Sequence, residues 1–219
     1  MKRFLFLFVV FLTLSTPFRG LAQGGELLIQ QYNRGPQLDR NYSKWSFKIG
    51  PQLSRLNTDL GTSSPTITLG GLFEIEYRLS KTVGLKTGAH YVPVSYTYAV
   101  NDSTGQDFLK YVSFPIILKL QPTNKMSFGL GVLYHYFLKG EKRVSKEEVE
   151  IKTAYPEGVF ENSFGGIAQI NYFLHPRISV FGNFRWVKKI NLPTNPKTNT
   201  TSGFQLGMSY LFLKSRERP

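Results

Sequence analysis

The stretch Met126–Tyr136, MSFGLGVLYHY, places Met126, Phe128, Leu130, Val132, Tyr134 and Tyr136 on one side of an extended chain. Ser127, Gly129, Gly131 and His135 fall on the other. Period two of this kind marks a β-strand with two different faces. The apolar side carries no charge at all. The opposite side is small or polar, the reverse of a soluble strand that hides a greasy face and shows a charged one.

Working outward from this stretch, the same alternation recurs in eight segments: about 45–56, 66–79, 83–98, 108–120, 126–138, 159–173, 178–188 and 203–212. Gln169 and Asn171 lie opposite Ile170 and Tyr172, and Gln205, Gly207 and Ser209 lie opposite Phe204, Leu206, Met208 and Tyr210. Pro93 blurs the third segment and predicts a bulge there. The connections alternate in length. Residues 80–82, 121–125 and 174–177 are tight turns, whereas 57–65, 99–107, 139–158 and 189–202 are longer. Short turns on one side and long loops on the other are the pattern of an outer-membrane barrel, and an even strand count returns both chain ends to the short-turn side. The expectation is an all-β fold: an eight-stranded antiparallel up-and-down transmembrane β-barrel over 45–213, ending in a short polar tail, 214–219.

The start of the chain fits export. Lys2 and Arg3 precede an apolar run from Phe4 to Leu14, and Gly20-Leu21-Ala22 offers a small-residue cleavage site, so 1–22 reads as a cleaved signal peptide. A run of about 11 residues is too short for an anchor helix, which needs about 20. Residues 23–44 are polar and irregular and read as a periplasmic lead-in. The 219-residue chain carries a formal charge of +13 and no cysteine. The absence of cysteine excludes a disulfide framework, a CxxC metal site and a thiol nucleophile. A soluble lipocalin-type barrel is the competing fold. It would scatter Lys and Glu over the outward face, which these strands do not do.

Charges inside the predicted strands fall mostly on the lumen face: Lys48, Glu74, Glu76, Arg78, Lys86, Lys119 and Arg185. Buried charges left unpaired are costly, so an ion-pair network that plugs the lumen is the plainer reading and a polar conduit the sharper one. The aromatic residues predict two girdles: Trp45, Tyr77, Tyr172, Tyr210 and Phe212 at the periplasmic boundary, and Tyr134, Tyr136 and Trp186 at the outer one. Leu130 and Leu206 fall near mid-membrane.

His90 and His135 face the lumen from strands that are not neighbours, and His175 sits in a turn beside Pro176. None has the companions of a metal site. The acids Asp59, Asp102 and Asp107 fall in predicted outer loops, with no histidine and nucleophile placed beside them, so no catalytic set and no cofactor is expected. The polar run Glu141–Glu150 lies in the longest loop and reads as a solvated outer surface, or as a partner-binding one. No basic–aromatic motif for nucleic acid is present. Lys and Arg near the rims are placed instead for lipid phosphates.

Tyr111-Val112-Ser113-Phe114-Pro115-Ile116-Ile117-Leu118-Lys119-Leu120 sets an aromatic and a short apolar stretch before a proline, then an apolar run ending in lysine. With Phe128–Tyr134 and Gly207–Phe212, it resembles the PorT-like outer-membrane β-barrel family of Bacteroidota. The resemblance covers roughly 45–213. It implies an eight-stranded barrel without catalytic residues, placed in the outer membrane by the barrel assembly machinery. It also implies a structural or interaction role among envelope proteins, in some relatives as an accessory of type 9 secretion or gliding. A narrow solute pore and a barrel enzyme acting on lipid or peptide are the alternatives. The polar tail Lys214–Pro219 departs from barrels that end on the last strand's aromatic, here Phe212.

Overall fold

The computed structural model describes residues 43–58, 62–100, 103–146, 149–156, 159–188 and 200–215. The predicted signal peptide, nearly all of the lead-in, Asp59, Asp102 and most of the polar tail lie outside the described residues.

Every described element is a strand: β1 (Trp45–Thr58), β2 (Ser64–Thr66), β3 (Thr68–Arg78), β4 (Val83–Val100), β5 (Ser103–Leu120), β6 (Met126–Lys146), β7 (Val149–Ala154), β8 (Ser163–His175), β9 (Ile178–Lys188) and β10 (Thr201–Lys214). Eight of them close a ring, β1-β3-β4-β5-β6-β8-β9-β10 and back to β1, with every neighbour antiparallel. Closure leaves no sheet edge, the condition for a sheet in hydrocarbon, where each backbone N–H and C=O must be paired within the protein.

The two further strands correct the sequence reading. Strand β2 continues the line of β3 across a break at Ile67. Ser95 of β4 pairs with Thr66 while Tyr91 pairs with Gly71, so β2 and β3 together spend one more residue than β4 over this interval. The bulge therefore lies opposite Pro93, while the pairing of β4 with β5 runs through Pro93 unshifted. Thr68 Oγ1 donates to the Pro93 carbonyl at 2.6 Å. Strand β7 pairs back onto the extended end of β6.

Two predicted loops are thus ribbons. Pairing of β4 with β5 continues to Val100 and Ser103, and β6–β7 occupies most of 139–158, including much of the polar run from Glu141. The eighth strand also extends beyond 212, to Lys214.

The registers fix the barrel's shape. From Trp45, successive cross-strand partners are Tyr77, Leu85, Leu118, Leu130, Ala168, Phe184 and Phe204, and the next partner is Arg55. One circuit returns ten residues further along β1. With eight strands about 4.7 Å apart and about 3.3 Å per residue, this offset tilts the strands by about 41° to the axis. Ten residues at that tilt rise by about 25 Å, the height of the apolar band that a barrel presents to lipid.

Between Trp45 and Arg55 the outward residues of β1 are Phe47, Ile49, Pro51 and Leu53, without a charge. The other strands repeat this. Leu130 is 70% exposed and Leu206 64%, among more than two dozen large apolar residues displayed outward. In water such a surface would aggregate; in a bilayer it is the solvated face.

Glycine on the inner face serves strand coiling as much as lumen space. A Cβ on Gly50 would lie 1.8 Å from the Met208 carbonyl oxygen, and one on Gly131 2.1 Å from that of Ile116. Adjacent strands approach there as a small barrel's curvature demands.

Candidate functional site

The inner faces of these strands build the only environment in the described chain with dense, buried chemistry. Alternation turns Lys48, Glu74, Glu76, Lys86, Lys119 and Arg185 inward, and the register carries them to one another. Glu76 is the hub. Its carboxylate accepts from Lys48 Nζ at 3.2 Å, Lys119 Nζ at 2.6 Å and Arg78 Nε at 3.1 Å. Glu74 lies 2.7 Å from Lys86 Nζ and 3.4 Å from His90 Nε2, and accepts from Gln169 Nε2 at 3.2 Å. Gln169 Oε1 in turn accepts from Lys86 and from Asn171. Phe173 lies under two of the lysines, its ring 5.2 Å from Lys48 Nζ and 5.4 Å from Lys119 Nζ, each a cation–π contact.

Arg185 stands apart from the six ion-paired residues. Its guanidinium donates to Ser113 Oγ at 3.0 Å and approaches His90 Nδ1 at 3.3 Å. An Nδ1 that accepts from arginine leaves the ring proton on Nε2, facing Glu74. His90 thereby links Arg185 to the carboxylate without a direct ion pair. Ser113 also bonds His135, whose ring stacks on Tyr111 at 4.1 Å. The third histidine, His175, is exposed in the turn and accepts from the Arg177 backbone N–H. No group of three or more metal-ligating side chains occurs among the described residues.

Above this layer the lumen turns apolar. Ile117, Leu133, Ile167 and Val187 form a buried patch on one wall. Toward the outer end lies a second cluster: Leu56, Val92, Val94, Tyr96, Leu109, Tyr111 and Phe160, with Tyr98, Phe137 and Tyr155 against it. Phe160 belongs to the segment between β7 and β8, where the sequence predicts the start of a strand but β8 begins only at Ser163. It folds in, with its ring 5.6 Å from Phe137 and 5.0 Å from Tyr155.

Asp107, assigned from sequence to a loop, is fully buried in this cap. It accepts from Tyr155 at 2.6 Å and Tyr98 at 2.9 Å. Burial and the bond to Asp107 push the Tyr98 phenol up to about 12 and that of Tyr155 higher still, so both stay protonated donors at ordinary pH. Tyr155→Phe removes one of these donors to a buried carboxylate and is expected to cost about 1.5–3 kcal/mol. Hydrogen exchange should quicken at the outer ends of β4–β6 and stay slow in the belt. Equal change at both ends would disprove a local cap.

The outward aromatics separate by register. Trp45 packs on Tyr77 at 4.7 Å, and Phe212 lies 6.3 Å from Phe47, toward the short turns with Tyr172 and Tyr210; Phe212 also lies 6.3 Å from Phe73, which stands nearer mid-belt. Tyr134 packs on Phe164 at 4.8 Å toward the long connections, with Tyr136 and Trp186.

No protein-family model matches the chain, and no curated protein matches it in sequence. Among solved structures it is similar to Ail, the attachment invasion locus protein of Yersinia pestis, at 13% identity over 78% of this chain and 99% of that one, with a TM-score of 0.45. Neisserial surface protein A matches at 11% identity over 78% and 98%, with a TM-score of 0.45. The outer membrane protein W of E. coli matches at 11% over 78% and 99%, with a TM-score of 0.40. Likeness at this level passes no function from those proteins to this one. The chain's own closed ring, uncharged apolar belt and packed interior make it an integral β-barrel of an outer membrane.

Proposed function

We propose that this barrel is a non-conducting structural and interaction protein of the cell envelope, and not an enzyme. The observation that carries the reading is the packed lumen. A continuous aqueous pore leaves its lining exposed, yet Glu76, Lys86, Lys119 and Arg185 are 1–2% exposed. Eight strands enclose an interior that side chains fill, and here they fill it with an ion-pair layer below and an aromatic cap above. What remains available to partners is the outside: the β6–β7 ribbon, the rims and the lipid-facing wall. The resemblance of Tyr111–Leu120 to PorT-like barrels favours partners among envelope proteins, with an accessory role in type 9 secretion or gliding as the specific form. The barrel assembly machinery is the partner for insertion, reading Phe212 within β10.

A second reading, a narrow anion pore, is favoured by one feature. The lumen holds Lys48, Lys86, Lys119 and Arg185 against Glu74 and Glu76, and Arg185 has no carboxylate of its own among the described contacts. Planar-bilayer recording separates the two. The plugged barrel gives no steady current at 100 mV, and anion-selective unitary steps from the unmodified protein would establish the pore.

A further inference from the structure

The strong basic excess has a pattern in space. At the outer edge of the belt, the first outward charges are Arg55 on β1, Lys110 on β5, Lys139 on β6 and Lys188 on β9. The short-turn edge carries Lys44, Lys125, Arg177 and Lys214, all exposed. Among residues whose side chains are described, the acids lie in the lumen (Glu74, Glu76), in the cap (Asp107) or toward the outer end (Glu141, Glu161). Glu141 shares the outward face of β6 with Lys139 and Arg143, and none lies outward at the short-turn edge.

The pattern is densest on β5 and β6. Lys110 and Lys139 are direct cross-strand partners on the outer face. Like charges so placed repel and weaken the pairing unless an anion joins them. Glu141 approaches Lys139 at 3.5 Å and Arg143 at 3.9 Å, so one carboxylate is divided between two cations. Phe108 lies between Lys110 and Arg143, its ring 5.6 Å and 5.7 Å from their charged groups. It holds both side chains on the outward surface, immediately beyond Tyr136 and Val112, where the apolar wall ends.

We propose that the outer face of β5–β6, centred on Lys110, Lys139 and Arg143, binds the phosphates of anionic membrane lipids, and that it is the strongest segment of a cationic collar holding such lipids at the belt's edge. The proposal rests on the membrane reading above. A lipid phosphate arrives at this height because its acyl chains lie against the belt below. It adds an anion to a cluster in which Lys139 and Arg143 already share the Glu141 carboxylate, and each cation at such a surface strengthens anionic lipid binding about fivefold at best.

The test uses quenching by brominated lipid. Trp45 and Trp186 are the only tryptophans. Replacing both by Phe and introducing Tyr136→Trp gives a single reporter beside the site. The full chain is inserted into phosphatidylcholine vesicles containing either brominated phosphatidylglycerol or brominated phosphatidylcholine. The expected result is at least a threefold preference for the anionic lipid at this reporter. It falls to about one in the Lys110→Gln/Lys139→Gln/Arg143→Gln variant and is retained in Lys139→Arg.

Equal quenching by the two lipids in the parent, or a preference unchanged in the triple variant, would overturn the proposal. So would its loss to inorganic phosphate at constant ionic strength, which would make a free anion the occupant. No quenching by either lipid would instead show that the wall does not face a bilayer, and so would overturn the membrane reading first.

Discussion

Glu76→Ala is expected to destabilise the folded barrel by about 3–5 kcal/mol, measured by urea titration in detergent or vesicles. The substitution touches no lipid and removes only a small side chain. Its cost lies in what it strands. Lys48, Lys119 and Arg78 all donate to this one carboxylate, and the first two are almost wholly buried. A lysine stripped of its anion in a water-poor lumen must either stay charged at a desolvation cost or give up its proton. Phe173 beneath both lysines recovers only a fraction. Adding Lys119→Met to Glu76→Gln is expected to restore part of the loss, because it removes a stranded charge along with the acid. Glu141→Ala breaks an ion pair of similar length on the solvated ribbon and should cost less than about 1 kcal/mol. Equal losses for Glu76 and Glu141 would mean that the lumen is wet.

Leu130→Arg is expected to cost about 2–4 kcal/mol, and Tyr136→Arg about 0–1 kcal/mol. Both side chains point outward from β6, six residues apart, and both are well exposed. In water they would be equivalent surface positions. They differ only in depth. Leu130 lies halfway along the circuit from Trp45 to Arg55, and so near the middle of the belt, whereas Tyr136 lies at its upper edge, below Lys139. An arginine at Leu130 must bring its charge into hydrocarbon or snorkel about 12 Å along the wall. Refolding into vesicles of increasing acyl-chain length should widen the gap between the two variants.

The outward wall was legible in the sequence because lipid imposes one rule on every outward position. Phe128, Leu130 and Val132 on β6 obey it, as do Phe204, Leu206 and Met208 on β10. Where strands leave the membrane the rule lapses. Gln106, Asp107, Lys142 and Arg143 are polar on both faces of a ribbon, and alternation could not mark them as paired strand. The same loss of contrast hid Asp107, whose burial is created by Tyr98, Tyr155 and Phe160 arriving from three separate segments.

The charged lumen residues were visible as isolated charges on an otherwise uncharged alternation. Their uncharged partners were not. Gln169, His90 and Phe173 reach Glu74, Arg185 and Lys48 across the barrel, and which residues meet there depends on an offset accumulated over eight registers. No local pattern encodes that sum. The bulge opposite Pro93 was half legible. The proline announced an irregularity, but its missing N–H is accommodated by the neighbouring strand, at Ile67, and not by β4 itself.

The central claim is that this chain spans an outer membrane as a closed barrel. The most direct measurement separates the envelope of cells producing the chain into soluble periplasm, inner membrane and outer membrane by density, with a carbonate wash of each membrane. The chain should be found in the outer-membrane fraction, should resist the wash, and should migrate faster on a gel unheated than boiled, as a barrel that stays folded in detergent does. Recovery as a soluble periplasmic protein would contradict the account, since the uncharged wall from Trp45 to Arg55 would then have no solvent to match it.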